Sequence, residues 1–173
     1  RLRLVYEGVP DRTPAPGGPE ALAALGVPPG APVVGNVAAL TGHKDHATLV
    51  EAMALLRPHA PEARLVIAGE GALRPALEAQ VRERGLHDRV IFAGFRRDLD
   101  RLLPAFSIFC LSSRLEGLGT SLLEGRLCGS VRHDEDARRL IGARSARRHR
   151  RFVGPLDERR HGGLQLLERR PQL

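Results

Sequence analysis

The sequence predicts an α/β fold with an open parallel sheet, followed by a poorly structured tail. Short apolar runs alternate with segments in which apolar residues recur at helical spacing, up to about residue 125. The connections between these segments are short, which favours right-handed crossovers and therefore parallel neighbouring strands. Beyond residue 125 both periodicities end and arginine becomes the commonest residue, so we expect residues 126–173 to pack poorly.

Apolar runs predict the strands, and the segments between and after them predict the helices. The predicted strands are residues 2–6, 32–40, 64–68, 89–95 and 108–111. The predicted helices are residues 19–25, 44–56, 73–84 and 98–103, with a last helix beginning at Leu122. Gly26 stops the first of these helices, Pro58 the second and Gly85 the third.

The loops that follow the strands are predicted to line one crevice, because the carboxyl ends of parallel strands meet at one edge of a sheet. These loops are residues 41–44, 69–71, 94–97 and 112–120. The last loop is glycine-rich and leads into a helix, whose free N–H groups attract an anion. Glu116 and Glu124 flank this anion site. Carboxylates beside a phosphate site indicate hydroxyl groups, as on a sugar or ribose.

A second interpretation of Glu124 is open on this stretch alone. Ser121 and Glu124 are three residues apart at a predicted helix start, which also matches a capping box. In a capping box the Glu side chain bonds only the backbone at the helix start, and it contacts no ligand.

Other polar residues favour structural roles. Asp98 and Asp100 match the Asp-x-Asp of metal-dependent enzymes, but here they open a short helix, where Asp is preferred as a cap. His43 and His46 flank Lys44 without the third ligand that a zinc site needs, so we expect loop and helix-surface residues and no metal. His43 lies next to Lys44 at the crevice, where it is also a candidate ligand contact.

The positive charge lies entirely in the tail. Residues 1–125 hold 14 basic and 14 acidic side chains, whereas residues 126–173 hold 13 and 6, which accounts for the net charge of +7. Such a tail could bind nucleic acid or an anionic surface. It has almost no aromatic residues for base stacking, so nucleic acid is not the expected partner.

The cysteines and the apolar runs indicate the compartment. Cys110 and Cys128 form neither a spaced disulfide framework nor a metal pattern, which predicts reduced, packed thiols. No apolar run is long enough to span a bilayer. We therefore expect a cytoplasmic protein.

With these residues in place, the chain from about Val5 to Glu124 resembles the donor-binding half of a family 4 retaining glycosyltransferase with the GT-B fold. The resemblance implies a partial Rossmann-like, nucleotide-sugar-binding domain at residues 1–125. It also implies transfer of a hexosyl group from a nucleotide-diphosphate sugar to an acceptor, with retention. It rests on motifs in the family's order, at residues 5–9, 34–37 with Lys44 after them, 65–71, 88–94 and 116–124.

The resemblance also implies roles for individual residues. Lys44 is a catalytic cation on the donor diphosphate, and Glu116 is the catalytic carboxylate that faces the transferred sugar. Glu124 is the partner of the ribose hydroxyls. The remaining donor-binding residues are Gly119, Thr120 and Ser121, which donate backbone N–H groups, and Phe95 and Arg96, which lie in a base-contacting loop. The nucleotide sugar is a substrate, and no cofactor is expected.

Partners and location follow from the same resemblance. The implied partners are the nucleotide-sugar donor and an N-terminal acceptor domain, with peripheral association at the inner face of the membrane. Because that acceptor half is missing, we expect a fragment that does not catalyse transfer alone. An inactive fragment, or a basic binding module acting through the tail, is the alternative. The abrupt loss of the family pattern after Glu124 motivates the hypothesis that residues 126–173 are a frame-shift product, which sequencing of the gene tests.

Overall fold

The computed structural model describes residues 13–115 and 120–127, and in them strands and helices alternate around one parallel sheet. The strands are β1 (Val33–Val37), β2 (Arg64–Ala68), β3 (Val90–Gly94) and β4 (Ile108–Phe109). The helices are α1 (Gly18–Ala24), α2 (His46–Leu56), α3 (Arg74–Glu83), α4 (Leu99–Ala105) and α5 (Thr120–Leu127), with a 3₁₀ turn at Gly42–Lys44. The predicted α/β fold with an open parallel sheet is confirmed.

Several predicted bounds differ from those in the structure. The strand predicted at residues 32–40 ends at Val37, because the chain then crosses toward β2 and Leu40 N–H bonds the Glu70 carbonyl at 2.9 Å. The helix predicted from residue 44 begins at His46, after the 3₁₀ turn. The last helix begins at Thr120, two residues before the predicted start. The predicted strand at residues 2–6 and the tail beyond residue 127 lie outside the described residues.

The strand order is β3-β2-β1-β4, and every pair is parallel. Within the described residues, β1 is thus the first strand along the chain and an inner strand of the sheet, with β2 on one side and β4 on the other. The direction in which strands are added reverses between β1 and β4. In open α/β sheets, ligands bind outside the carboxyl ends of the strands at such a switch point.

Apolar side chains cover both faces of the sheet. On one face α2 and α3 bury Leu49, Val50, Leu77 and Val81 against the sheet. On the other, α1 and α4 bury their own apolar residues, Leu22, Leu102 and Leu103 among them. β2 contributes side chains to both cores, since Leu65 and Ile67 lie on the face covered by α2 and α3, and Val66 lies on the other face. This explains the unbroken apolar run of β2, which is typical of a parallel strand.

Gly35 permits a close contact with Phe106 in the core between the sheet and helices α1 and α4. A Cβ atom built at Gly35 would overlap the ring of Phe106, which is 1% exposed. Phe106 lies two residues before β4, and Gly35 is paired with Phe109 in the ladder. The missing side chain in β1 therefore makes room for the ring that anchors the start of β4.

Among the helices of the described ranges, none has the length and apolar character to cross a membrane.

We predict that Gly35→Ala destabilises the chain by about 1–3 kcal/mol, because the Phe106 ring must move within a packed core. The free energy of unfolding in urea measures this effect. Gly42→Ala is the matched control, since a methyl group there meets no atom within 4 Å. Equal stability of the two variants would contradict the packing argument.

Candidate functional site

Two loops meet at the switch point and are joined by direct contacts. Residues 41–45 follow β1, and residues 111–115 follow β4. The Arg114 N–H donates to the His43 carbonyl at 2.8 Å, and Ser112 Oγ donates to the Lys44 carbonyl at 2.9 Å. The Arg114 side chain adds an ion pair, with Nε 2.8 Å from Asp45 Oδ2. The Lys44 turn and the loop after β4 therefore form one structural unit.

Asp45 has an unusual backbone conformation at the centre of this unit. Its φ of 47° makes it the one non-glycine residue with positive φ in the described ranges. Its carboxylate accepts hydrogen bonds from Arg114 Nε and from Thr48 Oγ1. The bond from Arg114 is the main cause that lowers the pKa of Asp45 below its ordinary value. Asp45 thus turns the chain from the 3₁₀ segment into α2, and its own charge helps to hold that turn.

Lys44 and His43 lie where the sequence predicts, at the carboxyl end of β1. Lys44 ends the 3₁₀ turn and is half-buried, whereas His43 is exposed. The His43 ring lies near the preceding loop, with Nδ1 3.4 Å from Thr41 Oγ1. The structure therefore places one lysine and one histidine in the turn that contacts the loop after β4.

The loops after β2 and β3 continue the same edge. Gly69 N–H donates to the Gly94 carbonyl at 2.8 Å, which joins the loop after β2 to the end of β3. On the other side, Gly71 lies so close to the Leu40 backbone that an added Cβ would be 2.5 Å from the Leu40 carbonyl oxygen. The four predicted loops are therefore contiguous over their described residues.

Phe95 and Arg96 follow β3 and differ in their surroundings. The Phe95 side chain is 70% exposed. The Arg96 guanidinium forms a two-point ion pair with Asp98, with Nε 2.8 Å from Oδ1 and Nη2 2.6 Å from Oδ2. Paired hydrogen bonds of this kind restrict the orientation of the guanidinium. An exposed aromatic ring and a pre-oriented cation therefore stand together at this corner.

The Arg96 pair also corrects the prediction for Asp98. Asp98 occupies the N-cap position of α4, as expected, but its side chain makes no cap hydrogen bond. The predicted capping role is wrong, because the Asp98 carboxylate forms an ion pair with Arg96 instead. The hydrogen bond from Arg96 is also the main cause that lowers the pKa of Asp98. Asp100 bonds the Arg101 N–H at 3.1 Å. The described residues contain no group of three His, Cys, Asp or Glu placed to hold a metal ion.

Helix α5 continues from the loop after β4. Gly125 is buried, and an added Cβ there would be 3.1 Å from the Phe109 ring, so α5 packs close to β4. Thr120 is exposed, and Ser121 and Glu124 are half-buried. Ser121 lies inside the helix, not at its N-cap, so the capping box proposed for the pair does not describe this helix start.

The remaining site candidates, Glu116 and Gly119, lie outside the described residues, as does Cys128. Their predicted roles stay predictions. Cys110 is a free thiol beside β4, and burial raises its pKa to about 11. Such a thiol stays protonated at neutral pH and is a poor nucleophile.

His46 is buried, so its prediction as a helix-surface residue is wrong. It is 1% exposed, and its Nε2 lies 3.1 Å from Asn36 Oδ1. Asn36, also 1% exposed, donates from Nδ2 to the Cys110 carbonyl at 2.8 Å. This pair was not predicted from the sequence. The signal was an asparagine within an apolar strand, because a buried amide requires a hydrogen-bonding partner.

Comparisons with known proteins agree with the fold. The model of the family described as "Glycosyl transferases group 1" matches residues 19–132. The chain is 31% identical over 132 residues to the Bacillus subtilis protein named "Putative glycosyltransferase EpsF", covering 75% of this chain and 34% of EpsF. It is 33% identical over 103 residues to the 2-deoxystreptamine glucosyltransferase of Streptomyces kanamyceticus, covering 58% of this chain and 27% of that protein.

A solved structure gives a similar result. The structure of Alr3699/HepE from Anabaena, in complex with UDP and glucose, matches with a TM-score of 0.61 and 26% sequence identity. The match covers 70% of this chain and 34% of the Anabaena chain. The chain thus spans about a third of the length of EpsF and of Alr3699/HepE, and less of the glucosyltransferase.

We predict that His46 makes the stability of the chain depend on pH between neutral and mildly acidic values. Burial lowers the pKa of His46 below the usual 6.5. As the pH falls through about 6.5, the unfolded chain takes up a proton that the folded chain does not. The free energy of unfolding should therefore decrease from pH 7 to pH 5, and this slope should be smaller in His46→Gln.

Urea unfolding at several pH values measures the slope. His87→Gln is the control because His87 is exposed, and it should keep the parent's slope. If His46→Gln keeps it as well, the buried imidazole is not its source.

Proposed function

Because the chain belongs to the glycosyl transferases group 1 family, we propose that its α/β part is the donor-binding half of a retaining glycosyltransferase that transfers a hexosyl group. The donor is a nucleotide-diphosphate sugar, held in the crevice at the carboxyl ends of β1 and β4. The UDP and glucose bound by Alr3699/HepE and the glucosyl transfer named for the Streptomyces relative support this donor class.

The observation that carries the proposal is the joining of the Lys44 turn to the loop after β4. The 2.8 Å bond from the Arg114 N–H to the His43 carbonyl brings the turn next to the segment that leads into α5. A lysine and a helix N-terminus near one switch point suit a diphosphate, because both attract negative charge.

Each candidate residue has a proposed role in this crevice. Lys44 pairs with the diphosphate, and His43 contacts the donor beside it. Glu124 accepts hydrogen bonds from the ribose hydroxyls, and Glu116 faces the transferred sugar. The other donor contacts are backbone N–H groups at Gly119, Thr120 and Ser121, and the base-contacting loop with Phe95 and Arg96.

The proposed chemistry follows from charge. When the bond between sugar and diphosphate breaks, negative charge accumulates on the leaving phosphates. A fixed lysine and oriented backbone N–H groups stabilise that charge most strongly in the transition state. The proposed chemistry therefore requires no cofactor. The acceptor hydroxyl forms its bond to the anomeric carbon on the face that the leaving group vacates, and its proton passes to the departing diphosphate, so the configuration at the sugar is retained.

We place the protein in glycan biosynthesis, in the cytoplasm and at the inner face of the membrane. An acceptor-binding domain is its proposed partner, because the chain spans only part of its relatives. Transfer is therefore a property of the assembled enzyme, and donor binding is the activity to measure on this chain.

We predict that one of UDP, GDP and ADP binds the full chain in isothermal titration and that Lys44→Ala weakens this binding by about tenfold to a hundredfold. The expected loss is that of a charged hydrogen-bonding partner, about 1.5–3 kcal/mol. Glu124→Gln should weaken binding in the same direction, because an amide is a poorer acceptor for hydroxyl groups than a carboxylate.

Two matched controls lie away from the crevice. Arg82→Ala removes an exposed cation in the last turn of α3, and Glu62→Gln removes an exposed carboxylate from the loop before β2. Neither should change the dissociation constant. A folded chain that binds none of the three nucleotides, or binding that Lys44→Ala and Glu124→Gln leave intact, would contradict the proposed function.

A further inference from the structure

A buried polar chain connects the three elements that surround the Lys44 turn. His46 is the first residue of α2, Asn36 lies in β1, and Cys110 follows β4. The Asn36 amide uses Nδ2 as a donor to the Cys110 carbonyl, so its Oδ1 accepts from His46 Nε2–H. One amide group thereby fixes the start of α2 relative to both strands of the switch point.

The burial of these hydrogen-bonded groups indicates that they position the Lys44 turn rather than stabilise the fold. His46 and Asn36 are each 1% exposed, and within the described residues the second ring nitrogen of His46, Nδ1, has no hydrogen-bonding partner. A buried polar atom without a partner is costly, and an apolar pair of the same shape could fill the space as well. What an apolar pair lacks is direction, because a hydrogen bond specifies both the distance and the angle between its partners.

Contacts from the other side hold the same turn. Lys44 is the last residue of the 3₁₀ turn, and Asp45 connects it to His46 at the start of α2. The Lys44 carbonyl accepts from Ser112 Oγ, and the Asp45 carboxylate pairs with Arg114. Asp45 keeps a φ of 47°, a conformation that persists only where the surroundings determine it. The residue after Asp45 is His46, so the hydrogen bond to Asn36 fixes the end of the strained segment.

We infer that His46, through its hydrogen bond to Asn36, is a positioning residue that sets the Lys44 turn against the loop after β4. The consequence for donor binding rests on the proposed function, in which Lys44 meets the diphosphate. The effect on the turn itself does not rest on it.

Amide hydrogen exchange of the full chain, followed by NMR, tests the position of the turn. The reporters are the amides of Lys44, Asp45 and Arg114, which bond the carbonyls of Thr41, Gly42 and His43. In His46→Leu the protection of these amides against exchange should fall about tenfold or more. The reference is the Leu65 amide in β2, which donates to the Arg89 carbonyl and whose protection should change less.

His46→Gln is the conservative variant that separates position from packing. Its amide nitrogen is the same number of bonds from the backbone as His46 Nε2, so it can still donate to Asn36. Protection at the three reporters should return to within about twofold of the parent. If His46→Leu does not fold, Asn36→Ser replaces it, because the shorter side chain cannot bridge His46 and the Cys110 carbonyl.

Titration with UDP, GDP and ADP adds the functional readout. For the nucleotide that the parent binds, His46→Leu should weaken binding about tenfold or more and His46→Gln should restore it, since small displacements of a binding group are costly. A parent that binds no nucleotide contradicts the proposed function, and the exchange measurement still decides the role of His46. The inference is overturned if the reporters keep their protection in His46→Leu, if Leu65 loses as much, or if His46→Gln is as perturbed as His46→Leu.

Discussion

The pairing of β4 with β1 is the interaction on which the candidate site depends. It aligns Val34 with Ile108 and Gly35 with Phe109, although these residues are more than 70 positions apart in the chain. The Phe106 ring can pack beside β1 only because Gly35 has no side chain. Once the two strands are paired, the loops that leave their carboxyl ends have to lie side by side. The switch-point crevice is therefore a consequence of apolar packing at the strand starts.

Apolar and polar contacts have separate tasks in this molecule. The two cores on either face of the sheet consist of aliphatic and aromatic side chains, and their burial supplies most of the stability. At the switch point the contacts are directional, because Asn36, His46, Ser112, Arg114 and Asp45 link β1, α2 and the loop after β4. Apolar packing alone tolerates small displacements, whereas a site that recognises a charged ligand requires fixed positions.

The described part of the crevice is prepared for a ligand to different degrees. The Lys44 turn is held from two sides, and Arg96 is oriented by Asp98, so ordering these groups on binding costs little entropy. Phe95 is exposed and would lose water-accessible surface only when a partner covers it. This contrast fits the proposed donor, because the diphosphate requires exact charge placement and a base can be held by stacking.

Local sequence determined the elements whose environment is uniform along their length. The bounds predicted for β2 agree with the structure because every residue from Leu65 to Ala68 is buried, so the apolar run and the strand coincide. The parallel arrangement also followed from the sequence, since short crossovers leave little alternative. From these two features came the expectation that the loops after the strands lie along one edge of the sheet, and their described residues do lie there.

Tertiary structure alone decided the strand order, the phase of α2 and the partners of the polar residues. The lack of a third metal ligand led to the expectation that His46 lies on the helix surface, but it is buried and hydrogen-bonded to Asn36. Propensity made Asp98 a cap, but Arg96 offered a charged partner that a backbone N–H could not match. Each of these outcomes depends on a group brought close by folding, and the energy of a hydrogen bond or ion pair depends on that geometry, which spacing along the chain does not contain.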